Sequence, residues 1–103
     1  MILVTTDYIT GKELETIEMV RGSVVMAKNI GRDILAGFKN IVGGEITDYT
    51  KMMNEARAIA TKRMADEAEL RGANAVIDIK YASSAVMDGA AEIIAYGTAV
   101  RFK

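Results

Sequence analysis

The 103-residue sequence contains no cysteine and no histidine. Without cysteine the chain cannot form a disulfide, and without either residue it cannot pair a thiol or hydroxyl nucleophile with an imidazole base. A zinc site of the usual thiolate and imidazole type is excluded for the same reason. These absences make an enzyme the least favoured function class, and we assign no catalytic residue.

The metal ligands that remain are carboxylates, carbonyls, hydroxyls and the thioethers of seven methionines. Oxygen ligands favour hard ions such as magnesium or calcium, whereas thioethers favour copper(I). The composition therefore leaves open whether a metal ion is a cofactor and which ion it would be.

Neither sign of charge dominates, since 13 Lys and Arg residues stand against 14 Asp and Glu residues. This balance gives no electrostatic reason to expect nucleic acid or an anionic membrane as a partner. The N-terminal stretch MILVTTDY lacks a basic segment and a cleavage signature, and no apolar run approaches the ~18 residues of a membrane span. We therefore expect a cytoplasmic protein with no nucleic-acid or membrane partner.

The length fits one domain over residues 1–103. Apolar periodicity and turn residues predict the order β-β-α-α-β-β, with the strands paired antiparallel. The predicted elements are strands at 2–6 and 16–28, helices at 33–42 and 47–72, and strands at 74–82 and 92–103. Gly22 indicates a bulge or a close backbone approach, and Asp88-Gly89 predicts a hairpin turn.

The segment 47–72 has the strongest helical pattern. Gly72 is the expected C′ residue that ends this helix. One apolar face is predicted from spacings of three and four residues, comprising Tyr49, Met53, Ala56, Ala60, Met64 and Ala68. We interpret the helical methionines, Met52 among them, as packing residues rather than as metal ligands.

Two predicted strands alternate between two faces. In 74–82 the alternation places Ala75, Ile77, Ile79 and Tyr81 on one face and Val76, Asp78 and Lys80 on the other. The last strand is apolar on both faces, with Ile94, Tyr96, Thr98, Val100 and Phe102 on one and Ile93, Ala95, Gly97 and Ala99 on the other. One helix layer covers only one face of a sheet, so we predict that another copy of the chain covers the second.

Five motifs occur in order: IVGG at 41–44, Tyr49, AR at 56–57, GANAV at 72–76 and GTAV at 97–100. With these motifs the chain resembles the YbjQ family of small bacterial and archaeal proteins, often labelled "putative heavy-metal-binding" domains. The resemblance implies a two-layer α+β subunit of the dodecin-like kind, with one long helix across an antiparallel sheet. It also implies a pentameric ring held by strand and sheet contacts. Heavy metals prefer thiolate or imidazole ligands, and this chain has neither.

The glycine pair Gly43-Gly44 has two interpretations. Its backbone N–H groups could form an anion nest, or the glycines could supply positive φ at a corner between two helices. No P-loop pattern surrounds the pair, and Glu45 directly after it disfavours an anion. The corner is therefore the favoured interpretation.

The other candidate residues are spread along the chain. Arg57 lies among apolar neighbours, which indicates a carboxylate partner across a subunit interface or, less favoured, a bound anion. Carboxylates such as Asp33 could converge on a ring axis and hold a cation. The complete set of candidate ligand-binding or interface residues is Asp33, Gly43, Gly44, Tyr49, Arg57, Gly97 and Thr98.

Two function hypotheses follow. The first is a homo-oligomeric ring that binds a small ligand or ion at its subunit interfaces or in its central channel. The second is a structural or protein-interaction oligomer without a small ligand. The first hypothesis is the favoured interpretation, and the second is the alternative.

Overall fold

The computed structural model of the chain describes residues 1–27 and 47–103, with the side chains of 47–49 left undescribed. The predicted helix at 33–42 and the candidate residues Asp33, Gly43 and Gly44 lie outside the described residues. The described elements are β1 (Ile2–Leu3), β2 (Leu14–Ala27), α1 (Thr47–Leu70), β3 (Ala75–Met87) and β4 (Ala90–Phe102).

The four strands form one sheet in the order β1-β3-β4-β2. β4 pairs antiparallel with both β2 and β3, but β1 pairs parallel with β3, so the prediction that all strands pair antiparallel is wrong for β1. A parallel pair needs a long connection, and β2 and α1 lie between β1 and β3 in the chain. The α+β class and the helix across the sheet are confirmed.

The hairpin turn lies where the sequence predicted it. β3 ends at Met87 and β4 begins at Ala90, so Asp88 and Gly89 form a two-residue loop with a φ of 77° at the glycine. Glycine adopts this left-handed conformation without a steric penalty, which is why an Asp-Gly pair favours tight hairpins.

The end of α1 is also determined locally. Gly72 has a φ of 79°, its N–H donates to the carbonyl of Glu69, and the N–H of Ala73 donates to the carbonyl of Ala68. These two bonds define a Schellman motif, in which a left-handed residue satisfies the last carbonyls of a helix. The helix ends at Leu70, two residues before the predicted end at 72.

The buried stripe of α1 repeats every four residues: Met52, Ala56, Ala60, Met64 and Ala68 are each at most 2% exposed. Met53, predicted on this stripe, lies at its margin and is only partly buried. The small alanines bring the helix backbone close to the sheet. At Gly22 a Cβ would lie 2.3 Å from the carbonyl oxygen of Ala60, so Gly22 marks a close backbone approach.

The irregularities of the sheet lie at other positions. β2 has one extra residue between Thr16 and Glu18, away from Gly22. β3 has an extra residue opposite the step from Thr98 to Tyr96, where Asp78 has a φ of 53°, and a second one between Ala85 and Met87. An extra residue in one strand is a β-bulge, and it reverses the faces of all residues beyond it.

The bulge at Asp78 corrects the predicted alternation of β3. Ile77 packs with Ala75 and Val100 on the side of the sheet away from α1, whereas Ile79 packs with Val76 in the core beneath α1. Ile77 and Ile79 therefore lie on opposite faces, although the sequence predicted them on the same one. A strict period of two holds only where the strand has no bulge.

Candidate functional site

Within residues 1–27 and 50–103, the side of the sheet away from α1 is covered at one end only. There the N-terminal segment contributes Val4 and Ile9, which pack against Ala75, Ile77 and Val100. We call the remaining part the open face. By the pairing register it comprises Met19, Arg21, Ser23 and Val25 of β2, Glu92, Ile94, Tyr96 and Thr98 of β4, and Lys80, Ala82 and Ser84 of β3.

The open face combines large apolar side chains with a few charges. Met19 is 68% exposed, Val25 55% and Tyr96 36%. Tyr96 lies between Arg21 and Lys80 on the neighbouring strands, so one aromatic ring is flanked by two cations. An exposed apolar patch with polar residues around it is typical of an interaction surface.

Among the described residues, strand edges are also exposed at both lateral margins of the sheet. β2 pairs with β4 alone within the described part of the chain. The N-terminal segment forms backbone hydrogen bonds with the outer edge of β3 as far as Ile79, whose N–H donates to the carbonyl of Val4. The described residues leave the outer edge of β3 from Lys80 to Met87 without a strand partner, and such edges favour pairing with another chain.

A second surface lies between α1 and β3, on the helix side of the sheet. The hydroxyls of Thr61 and Tyr81 are 2.8 Å apart, and Thr61 also donates to the carbonyl of Arg57 at 2.7 Å. Tyr81 is 48% exposed, so this hydrogen bond lies at the surface. The pair joins the helix to β3 where few apolar contacts do so.

A pocket of about 330 Å³ lies at the hairpin end of the sheet, between β3, β4 and the first half of α1. We call it the hairpin pocket. Its lining residues include Met52, Met53, Ser83, Ser84, Met87 and Asp88. The volume is at the lower end of the range for small-molecule sites.

The charged side chains of α1 form local ion pairs. Arg71 contacts both Glu67 and Glu18 at 2.5 Å, which ties the end of α1 to β2. The hydrogen bond and the negative charge of Asp66, 2.9 Å from Lys62, raise the pKa of the Lys62 ammonium group above its ordinary value. These pairs are exposed and have a structural explanation, so they do not mark a catalytic centre.

The structure does not bring the described candidate residues together. Arg57 is exposed on α1 and donates to the side-chain oxygen of Asn54 at 3.0 Å. Thr98 lies on the open face, so the sheet separates it from Arg57. At Gly97, on the helix side, a Cβ would lie 2.8 Å from the carbonyl oxygen of Ile77, so this glycine permits close packing. Their roles as ligand or interface residues stay predictions, as does that of Tyr49.

Sequence reasoning missed two features of this molecule. It did not predict the hydrogen bond between Thr61 and Tyr81, because they are 20 residues apart and no local pattern links them. It also did not predict the hairpin pocket, whose lining combines the first half of α1 with the β3–β4 hairpin. The Asp88-Gly89 turn was the available signal, since it places Met87 at the tip of a hairpin.

A zinc-type or hard-ion site does not fit the described residues. The chain has no cysteine or histidine, and residues 1–27 and 47–103 contain no group of three acidic side chains arranged to hold an ion. The only soft donors in the chain are therefore the thioethers of methionine.

Comparison with known proteins gives a consistent result. A family model described as "Putative heavy-metal-binding" matches residues 1–103. Among curated proteins, a UPF0145 protein of Alkaliphilus metalliredigens is 67% identical over 99% of both chains, and one of Clostridium novyi is 61% identical over 98% of both. A UPF0145 protein of Methanosarcina acetivorans is 53% identical over 98% of this chain and 96% of its own.

The fold also resembles a crystal structure of a protein of unknown function from Pediococcus pentosaceus. The TM-score is 0.72 at 15% identity, over 100% of this chain and 98% of the other. At this identity the likeness supports the fold alone. Within the described residues, no helix has both the length and the apolar character needed to cross a bilayer.

Proposed function

The chain belongs to the YbjQ family, and from that premise we propose that it works as a homo-oligomeric ring that holds a small ligand or ion between its subunits. The observation that carries the proposal is the open face, where Met19 and Val25 are more than half exposed although Val20 and Ile93, on the other side of the same sheet, are buried. Covering these side chains would contribute about 25 cal/mol for each Å² of apolar surface removed from water.

The strand edges support a ring over a two-fold dimer. The exposed edges of β2 and β3 lie in the same sheet but are different surfaces. A contact between two different surfaces is heterologous, and repeating it closes into a ring when the rotation permits. The number of subunits proposed, five, comes from the family resemblance.

Size-exclusion chromatography with light scattering tests the assembly. Five chains of 11.2 kDa predict a particle of about 56 kDa. The double variant Met19→Glu/Tyr96→Glu places two charges on the open face, and we expect it to shift the particle to the monomer mass. The control is Leu70→Glu, which puts one such charge at an 85% exposed apolar position on α1 and should leave the mass unchanged. A monomeric wild-type chain at micromolar concentration would contradict the proposal.

Native mass spectrometry tests the ligand. Protein purified from cells without denaturation should retain its ligand. The ligand would appear as an extra mass, one per subunit or one per ring. A thermal-shift screen with metal ions and nucleotides is the complementary measurement, since a ligand at 100 times its Kd stabilises by about 2.7 kcal/mol. An intact ring with no retained mass and no thermal shift would favour the structural, ligand-free oligomer instead.

A further inference from the structure

We propose that three neighbouring residues of the open face, Arg21, Tyr96 and Lys80, form a binding site for a phosphate group. The pairing register sets Arg21 of β2 and Lys80 of β3 directly opposite Tyr96 of β4, so the three residues form one row across the sheet. We call it the cationic row. The inference rests on the ligand part of the proposed function and assigns that ligand to the phosphate-bearing compounds.

The register brings four hydrogen-bond donors to this part of the sheet. Neighbouring strands are about 4.8 Å apart, so the backbones of Arg21 and Lys80 are about 10 Å apart with Tyr96 between them. Each long side chain needs to cover only half of that distance to meet the other at one anion. Thr98, two residues from Tyr96 on β4, lies on the same face and adds a second hydroxyl. A guanidinium, an ammonium and two hydroxyls can therefore donate to one oxyanion.

Neither cation of the row has a carboxylate partner in the described part of the chain. Within residues 1–27 and 50–103, the ion pairs are those of Lys62 with Asp66, Arg71 with Glu18 and Glu67, and Arg101 with Glu15. Arg21 and Lys80 are both exposed and take part in none of these pairs. Two positive charges on either side of one aromatic side chain repel each other, and an anion bound between them removes that repulsion.

A second copy of the chain does not supply enough negative charge for the row. Of the residues that define the open face, only Glu92 is acidic, and it lies about 13 Å from Tyr96 along β4, beyond the ~8 Å Debye length at physiological ionic strength. Covering the face in the proposed ring would take Arg21 and Lys80 out of water, which is costly for charges without a partner. The partner's Glu92 could offset one of the two charges. Identical chains would thus leave an excess of positive charge that a bound anion neutralises.

The donor set favours phosphate over carboxylate. A phosphate monoester carries a charge of about −1.5 to −2 at pH 7 and three strong acceptor oxygens, which matches two cations and two hydroxyls. A carboxylate carries one charge and two oxygens, so it would leave part of the row unsatisfied. The arginine fork is also well suited to bind two phosphate oxygens at once.

Titration calorimetry with sodium phosphate, in a phosphate-free buffer of low ionic strength, tests the site. We expect the wild-type chain to bind one phosphate per subunit. Arg21→Gln and Lys80→Gln should each weaken binding at least about tenfold, because each removes a charge-assisted hydrogen bond. Tyr96→Phe keeps the aromatic ring and removes only the hydroxyl, so it should weaken binding about twofold to tenfold.

Two controls separate a built site from general attraction of anions. Lys51→Gln removes the same charge from an exposed position on α1 and should bind phosphate as the wild type does. Sodium acetate should bind at least about tenfold more weakly than phosphate, because it offers less charge and fewer oxygens. Equal affinity for the two anions would overturn the assignment to phosphate.

NMR of the tyrosine ring signals gives a readout that needs no variant. Phosphate should shift the signals of Tyr96 and leave those of Tyr8 and Tyr81 in place, although these two are 60% and 48% exposed. Absence of binding, unchanged affinity in Arg21→Gln and Lys80→Gln, or shifts at Tyr81 instead of Tyr96 would overturn the proposal.

The oligomeric state of the same samples separates this inference from the proposed function. A ring that binds no phosphate removes the site and leaves the assembly standing. A monomer that binds phosphate through the cationic row supports the site and contradicts the ring.

Discussion

On the side of the sheet that α1 covers, Val20 and Ile93 are each 2% exposed, whereas Met19 and Val25 on the opposite side are 68% and 55% exposed. Neighbouring residues of the same strand thus lie in different environments. Both faces are rich in apolar side chains, so composition does not separate them. Among the described residues, one helix layer packs on one face, so folding buries that face. In the proposed assembly, association would bury the second.

The adjacent isoleucines of β4 give the most direct test of this difference, with the largest expected effect. Ile93→Ala removes a fully buried side chain beneath α1 and should lower the free energy of unfolding by about 2–5 kcal/mol. Ile94→Ala, on the open face, should cost clearly less in the dissociated chain and should instead weaken assembly. Urea denaturation of both variants in the Met19→Glu/Tyr96→Glu background measures the folding part alone. Equal losses would show that the two faces are not distinct in folding.

The next largest loss of stability is expected at Gly22, where α1 approaches the sheet closely. In Gly22→Ala the new Cβ would meet the backbone of Ala60 and Met64, neither of which can rotate away. We expect a loss of about 1–3 kcal/mol, since α1 must move from the sheet. Thermal and urea unfolding measure it. Ser23→Ala, one position along and on the open face, is the matched control and should change stability by less than about 0.5 kcal/mol.

At the Asp78 bulge, the alternation of β3 between the two faces of the sheet is interrupted. We expect substitutions there to change stability less than Gly22→Ala does. Asp78→Val places a β-branched residue at a φ of 53° and should cost about 1–2 kcal/mol. Asp78→Gly should be close to neutral, because relief of the left-handed strain offsets the added entropy of the unfolded chain. If urea denaturation finds both variants equally unstable, the side chain of Asp78 rather than its backbone conformation is what matters.

Lys62 and Asp66 form an exposed ion pair on α1, away from both faces of the sheet. Removing this pair should have the smallest effect on stability. Asp66 raises the pKa of Lys62 in the folded chain, so the pair's contribution to stability is present at neutral pH and is lost as the pH rises through that raised pKa. Asp66→Asn should therefore lower the Tm slightly at neutral pH, and the difference from wild type should shrink as the pH rises through the raised pKa of Lys62. A difference that grows with pH would contradict this assignment.

Much of the fold follows from local patterns. The helix stop at Gly72 and the turn at Asp88-Gly89 lie where residues with positive φ were expected, because these conformations depend on a few adjacent residues. The close approach at Gly22 was one of two predicted outcomes, and the structure shows which one applies.

The candidate site was predicted far less well. Arg57 and Thr98 lie on opposite sides of the sheet, and Asp33, Gly43 and Gly44 lie outside the described residues. Motif order along the chain is linear, whereas a site depends on which faces the elements present to one another. The hairpin pocket shows this best, since its lining combines Met52 and Met53 of α1 with residues from Ser83 to Ala91, about 30 or more positions further along the chain.

The sequence by itself determined which side-chain chemistry is absent, the existence of α1 and of the four described strands, and the positions of the turns at Gly72 and at Asp88-Gly89. Composition, periodicity and glycine positions act locally, so one chain is enough to interpret them. Only the tertiary structure decided that β1 runs parallel to β3 and that Ile77 and Ile79 face opposite ways. These outcomes depend on bulges and on contacts between distant segments, which packing selects and which no short sequence pattern encodes.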